Sequence, residues 1–187
     1  MNGRRLSAGA CMALAGLMFS GCANQQPTPA PEPTYATVAN SEFVSTNYRV
    51  ADTLAARFPG KPTGGPLIVA TVVNIDALEQ SSTLGRLISE QVSARFSQLG
   101  FSMIEMKFRT AVYMRRTEGE LMLSREINEV ARVNQAQAVI VGTYGVSGQA
   151  VFVNMKIVQP GNNVVLAAYD YVLPYNSEIR SMLTRSR

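Results

Sequence analysis

The chain of 187 residues contains no histidine and no tryptophan, and it has only two cysteines. Histidine is the commonest general base and metal ligand, so its absence removes the usual route to acid–base and zinc chemistry. The G-x-S-x-G and S-x-x-K motifs of serine hydrolases are also missing. These absences predict a protein that has no metal site, no cofactor and no catalytic residues.

Both cysteines lie near the N-terminus. Two arginines precede an apolar run at 6–19, and Ser20-Gly21 stands immediately before Cys22. A basic segment, an apolar segment of about 7–15 residues and small residues at the cut are the parts of a secretory signal. A cysteine at the cut resembles the lipobox of bacterial lipoproteins. Residues 1–21 are therefore predicted to be a lipoprotein signal peptide.

The lipobox resemblance implies that Cys22 carries lipid, including palmitate. Cys11 leaves with the signal, so no thiol remains for a disulfide, a metal or a nucleophile. The apolar run is shorter than the about 20 residues that a membrane-spanning helix needs. Ala23 after the cysteine, in place of Asp, is typical of an outer-membrane address. We expect a lipid-anchored protein on the periplasmic face of the outer membrane.

Composition divides the rest of the chain. Residues 22–46 are predicted to be a lipidated tether, because alternate prolines favour extended polyproline II. Residues 47–174, a segment long enough to bury a core, are predicted to form a single domain. Residues 175–187 read as a polar C-terminal tail.

Hydrophobic periodicity predicts the elements of the domain. Helices are expected at 47–58, 83–99 and 124–134, with Ser124 as an N-cap and Gly100 just past a helix end. Strands are expected at 67–73, 101–108, 138–146, 150–158 and 164–173. Strand–helix alternation followed by hairpins predicts an α/β (mixed α+β) fold, with a mixed sheet of about five strands covered by about three helices.

Charge excludes one class of partner. The formal net charge of +4 includes Arg4 and Arg5, which a cleaved signal removes. A nucleic-acid binder would cluster Lys and Arg on one face, and only Arg109, Arg115 and Arg116 come close together. We therefore expect no nucleic acid as a partner.

Carboxylates offer the one catalytic alternative. The pairs are Glu118 with Glu120 and Glu126 with Glu129, and glycosidases use two carboxylates across a cleft. Their positions in a loop and on a polar helix face predict solvated side chains. We therefore expect that the protein is not an enzyme.

Several stretches together resemble one known family. They are NIDAL (74–78) with SSTLGRLISEQ (81–91), GELMLSREI (119–127), AQAVIVGTY (136–144) and VLAAYDY (165–171). In this order behind a lipobox, they resemble the FlgO family of flagellar outer-membrane lipoproteins, over about residues 47–174.

This resemblance implies a non-catalytic lipoprotein that supports flagellar assembly, stability and motility through protein contacts. Its partners would be flagellar basal-body proteins or other outer-membrane flagellar proteins, with a homo-oligomer as a further candidate. A second hypothesis stays open, a periplasmic lipoprotein accessory to cell-wall synthesis or secretion, because small α/β lipoproteins with those roles have a similar layout.

Candidate partner contacts lie in three regions. Arg86 stands opposite the apolar stripe of its helix, where Glu90 is its i,i+4 partner. The aperiodic segment 109–122 mixes apolar and basic residues, and its candidates are Arg109, Tyr113, Arg115 and Arg116. Tyr169 and Tyr171 share one strand face and Asp170 points to the other. The tyrosines form a binding patch if exposed, and the alternative is that they lie under a helix.

Gly85 is unexpected near the start of a helix, where glycine costs about 1 kcal/mol relative to alanine. Something must therefore approach this residue closely. The favoured interpretation is tight packing of the helix on its own sheet, and the alternative is contact with a partner.

Overall fold

The structure, a computed structural model, describes residues 41–105, 112–115 and 120–184. Its helices are α1 (Glu42–Arg57), α2 (Thr83–Gln98), α3 (Arg125–Val133) and α4 (Ser177–Thr184). Its strands are β1 (Leu67–Val69), β2 (Val73–Asn74), β3 (Met103–Glu105), β4 (Val112–Arg115), β5 (Glu120–Leu123), β6 (Ala138–Val146), β7 (Ala150–Val158) and β8 (Val165–Pro174).

Six of these strands form one mixed sheet, in the order β3-β1-β6-β7-β8, with β2 also paired to β6. The pairs among β3, β1, β2 and β6 are parallel, whereas β6, β7 and β8 form an antiparallel meander. One face of the sheet packs against α1, α2 and α4, and the other packs against α3. The predicted α+β fold is confirmed.

The predicted strand at 67–73 is interrupted. β1 pairs with Ala138–Ile140 and β2 pairs with Thr143–Tyr144, so both lie along the central strand β6 with a break between them. Ser89 of α2 fills this break. Its hydroxyl accepts a hydrogen bond from the N–H of Val72 (2.8 Å) and lies within donating distance of the Ala70 carbonyl (3.1 Å). A helix side chain thus satisfies backbone groups in the break.

Gly85 allows this close approach. A Cβ at this position would overlap the carbonyl oxygen of Val72 and would lie 3.5 Å from the Tyr144 ring. The interpretation that Gly85 packs the helix on its own sheet is therefore confirmed.

Capping groups set the helix ends. Ser124 accepts a hydrogen bond from the N–H of Ile127 (3.3 Å), as predicted. Gly100 has φ +90°, and the next residue, Phe101, donates its N–H to the carbonyl of Phe96 (3.1 Å) while the two rings pack edge to face. This is a Schellman ending with its hydrophobic contact.

The ends of the domain differ from the expectation. α1 begins at Glu42, inside the predicted tether, and its first turn buries Phe43. α4 lies in the predicted polar tail, where Asn176 accepts the N–H of Ile179 (2.9 Å) and that isoleucine is 2% exposed. Both helices contribute to the core, so the packed region extends beyond 47–174.

Two further details were not predicted. The strand expected at 101–108 is Met103–Glu105, and 106–108 lie outside the described residues. β4 and β5 form a separate antiparallel hairpin, whose last residue, Leu123, is buried beside α3. In the part of the chain that the structure describes, no helix is long and apolar enough to cross a membrane.

Replacing Gly85 with alanine tests the packing of α2 on the sheet. The new Cβ would overlap the Val72 carbonyl, so the helix or the strand must shift. We expect the free energy of unfolding to fall by about 1–3 kcal/mol, as in overpacked cores, although alanine is the better helix former. Urea unfolding followed by circular dichroism measures the change.

The matched control is Gly148→Ala, because a Cβ there meets no atom within 4 Å. Its expected effect is within about 0.5 kcal/mol. If Gly85→Ala were as stable as the wild type, the close packing would be refuted.

Ser89→Ala tests the bridge across the strand break. The substitution leaves the buried N–H of Val72 without its acceptor, and an unsatisfied buried donor costs about 1–3 kcal/mol. We expect a loss of that size in urea unfolding. The exposed Ser97 of the same helix is the control, and equal losses in Ser89→Ala and Ser97→Ala would show that the bridge does not stabilise the fold.

Candidate interaction surface

A buried polar chain joins α1, α2 and β8. The Tyr171 hydroxyl donates a hydrogen bond to Asn47 Oδ1 (2.7 Å), and Asn47 Nδ2 donates to Gln91 Oε1 (2.7 Å). The Asn47 side chain is fully buried, so both bonds satisfy groups that have lost water. Burial raises the pKa of the Tyr171 phenol above its ordinary value.

Tyr169 lies on the same strand face. The guanidinium of Arg57, at the end of α1, sits 5.5 Å from the centre of the Tyr169 ring, within cation–π range. The same guanidinium donates to the Ala168 carbonyl (3.1 Å). Both tyrosines are thus half-buried beneath α1, the arrangement considered as the alternative to an open patch.

A second polar contact links the two long helices. Arg95 of α2 holds both carboxylate oxygens of Asp52 of α1, at 2.7 and 3.1 Å, and stacks over the Tyr48 ring. The hydrogen bond that Arg95 donates to the Asp52 carboxylate raises the pKa of Arg95. Bidentate geometry fixes orientation as well as distance, so this pair aligns α1 with α2.

The opposite face of β7 and β8 is open. Phe152 and Val172, which are paired in the register, are 56% and 53% exposed, and Ile75 beside them is 43% exposed. With Thr143 and Gly145, they line a groove of about 330 Å³. Asp170, at the same groove, accepts a hydrogen bond from Asn154 Nδ2.

The remaining predicted contact residues are scattered. Arg86 donates to the hydroxyls of Ser81, just before α2 (3.1 Å), and Thr83, the first residue of α2 (3.2 Å), rather than to Glu90 as expected. Tyr113 and Arg115 lie in the hairpin strand β4. Cys22, Arg109 and Arg116 lie outside the described residues. Among the predicted contact residues that the structure describes, Tyr169 and Tyr171 share one face of β8.

The described carboxylates do not converge on a cleft. Glu126 is exposed on α3, and Glu129 forms an ion pair with Arg132 (2.6 Å) that lowers the pKa of Glu129. A general acid needs the opposite shift. Glu118 lies outside the described residues. Within the described ranges, no group of three or more Cys, Asp or Glu side chains is placed to hold a metal ion.

Sequence reasoning missed Asn47 and Phe152. Asn47 lies between apolar neighbours on the buried side of α1, and a polar residue on an apolar helix face is a signal for a buried hydrogen bond. Phe152 alternates with buried residues of β7, on the face that carries Asn154 and Lys156. An aromatic on an otherwise polar strand face is a signal for a contact surface.

Together the fold and this surface define a class, an α+β domain whose mixed sheet is covered on one face and partly open on the other. The chain belongs to the FlgO family, because the family model described as FlgO protein matches residues 48–178. The match runs from α1 through β8 into α4. No curated protein matches the sequence.

Several solved structures are similar to this chain. The LpoB C-terminal domain from Salmonella enterica is 11% identical, over 71% of this chain and 98% of that one, with a TM-score of 0.49. The same domain from Escherichia coli is 14% identical, over 71% of this chain and 98% of that one, with a TM-score of 0.48. The PelC L103M dodecamer from Paraburkholderia phytofirmans is 18% identical, over 63% of this chain and 77% of that one, with a TM-score of 0.41.

Tyr171→Phe tests the buried polar chain. Losing the hydroxyl leaves Asn47 Oδ1 without this donor, which costs about 1–3 kcal/mol. We expect that loss in urea unfolding at neutral pH. Tyr169→Phe is the control, since no hydrogen bond to its hydroxyl is seen among the described residues. An equal loss in the two variants would contradict a specific role for the Tyr171 hydroxyl.

Alkaline pH gives an independent readout. Because burial raises the Tyr171 pKa above the ordinary value of 10.0, the folded state favours the neutral phenol. This contribution is fully present below pH 10 and is lost as the pH rises above it. We expect the unfolding free energy of the wild type to fall more steeply than that of Tyr171→Phe between about pH 10 and pH 12. Parallel curves would contradict the shift.

Proposed function

We propose that this protein is a non-catalytic lipoprotein of the outer membrane that supports flagellar assembly and motility through protein–protein contacts. The observation that carries the proposal is the family match over residues 48–178. That match includes most of α1, all of α2 and α3, and the meander, so it covers most of the packed domain.

The N-terminal sequence supports the membrane location. Arg4 and Arg5, the apolar run and Ser20-Gly21-Cys22 follow the order of a lipoprotein signal. Two or more lipid chains on Cys22 provide stable attachment, whereas a single chain binds a membrane only marginally. A proline-rich stretch then separates the domain from the bilayer.

Surface chemistry supports contact rather than catalysis. Where the structure describes side chains, the buried polar groups Asn47 and Tyr171 bind each other, and the carboxylate of Glu129 is held by an arginine. The exposed apolar side chains Phe152 and Val172 are instead grouped around one groove. Grouped exposed apolar side chains are typical of protein interaction sites.

The test compares wild-type cells with a Cys22→Ala strain. Flagellar basal bodies are purified with the outer membrane attached, the protein is quantified in them, and swimming is measured on soft agar. We expect the protein in wild-type basal bodies, its depletion by at least about tenfold in Cys22→Ala because the lipid anchor is lost, and reduced swimming.

Cys11→Ala is the matched control, since that cysteine lies within the predicted signal. It should leave palmitate labelling, basal-body content and swimming unchanged. Absence of the wild-type protein from basal bodies, with abundant protein elsewhere in the outer membrane, would reject the flagellar role. Unaltered membrane attachment in Cys22→Ala would reject the lipid anchor.

A further inference from the structure

β8 is an edge strand of the main sheet. In an antiparallel pair, successive residues turn their backbone groups alternately toward the partner strand and away from it. The Ala168 carbonyl accepts a bond from Arg57 of α1, so Ala168 faces away from β7. By the same alternation, the N–H and C=O groups of Asp170 and Val172 also face outward. Within the described residues, no strand pairs with this edge.

The side chains of the same residues border the open groove. Val172 and Asp170 line it together with Phe152, the neighbour of Val172 on β7. Unpaired backbone groups and an apolar groove therefore lie side by side. A partner that satisfies both must present an extended backbone and an alternating row of side chains.

The charge at the edge strand favours one kind of side chain in the partner. The carboxylate of Asp170 lies on the edge strand and is exposed on the open face. Lys156 lies one strand further in, opposite Ala168, and Arg57 reaches the edge from the covered face, over the Tyr169 ring. A strand added beside β8 therefore meets the acidic group first. A basic side chain opposite Asp170 is favoured, since unlike charges on neighbouring strands stabilise pairing.

We propose that the edge of β8 from Ala168 to Val172 is a docking site for an extended segment of a protein partner. The segment adds as a strand, places apolar side chains against Phe152 and Val172, and sets a Lys or Arg beside Asp170. This proposal deepens the proposed function, because it names the surface through which the protein contacts others.

A second copy of the chain fits this edge less well. Antiparallel pairing of two β8 strands about a two-fold axis at Asp170 would place two carboxylates directly opposite each other. Like charges in that position destabilise strand pairing.

The test uses the purified full chain and a synthetic peptide in which lysine and valine stand two residues apart with threonine between them. Both side chains then lie on the same face of the added strand. Amide hydrogen exchange is followed residue by residue by NMR. We expect the peptide to slow exchange at Ala168, Asp170 and Val172, the amides that face outward. The amides of Tyr169 and Tyr171 already face β7, so their exchange should hardly change.

Two variants examine the recognition elements separately. Asp170→Lys reverses the charge and should weaken peptide binding by at least about tenfold. Val172→Pro removes one outward N–H, which an edge strand tolerates, and should also weaken binding by about tenfold. Val133→Lys changes an exposed residue of α3 (66% exposed) and should bind the peptide as the wild type does.

The remaining outcomes overturn the proposal. Unchanged exchange at the three outward amides, or equal binding by Asp170→Lys and wild type, would show that the edge is not the site. Slow exchange at these amides without peptide and at every dilution would indicate that the chain's own segment covers the edge. Slow exchange only at high protein concentration would indicate a second copy. The assay needs no flagellum, so its failure is distinct from failure of the flagellar role.

Discussion

The contact between α2 and the strand break at Ala70–Val72 is the constraint on which the rest of the fold depends. Gly85 removes the side chain that would strike the Val72 carbonyl, and Ser89 then supplies the hydrogen bonds that the interrupted ladder lacks. Shifting the helix outward would uncover the buried N–H of Val72 and would also loosen the apolar core beneath α2. The contact between α2 and the strand break therefore needs both a glycine at position 85 and a hydroxyl at position 89.

The packing of α1 over one face of the sheet depends on the position of α2. α1 is attached to α2 through Asn47 and through the Asp52–Arg95 pair, and to β8 through Tyr171. These polar contacts specify direction, which apolar packing alone does not. Among the described residues, the other face packs against α3 and against Leu123 of β5, and these residues meet the β1 and β6 side of the sheet. The outer half of β7 and β8 is left open as a consequence.

Much of this fold is predictable from local pattern. The bounds of β6 and β7 and the cap at Ser124 follow from apolar alternation and capping chemistry, and the structure has them as predicted. The start of α1 at Glu42 was not predicted although Ser41 is a favoured N-cap residue, because the proline-rich stretch before it favours an extended tether. The sequence does not decide whether the face of β8 that carries Tyr169 and Tyr171 is buried, because both faces of this strand mix polar and apolar residues. Only the position of α1 in space decides which face is covered.

The open edge is built for reversible rather than permanent pairing. The Ala168 carbonyl already accepts a hydrogen bond from Arg57. An added strand can therefore pair only with the remaining outward backbone groups between Ala168 and Val172. Each such hydrogen bond contributes about 0.5–1.5 kcal/mol net, whereas association costs about 4–15 kcal/mol in lost freedom. The groove beside Phe152 must therefore supply part of the affinity through apolar burial. Confinement at a membrane would supply more, because a tethered site meets its partner at a high effective concentration. If Cys22 is lipidated as proposed, a short docking edge would favour a partner that shares the same membrane over one that does not.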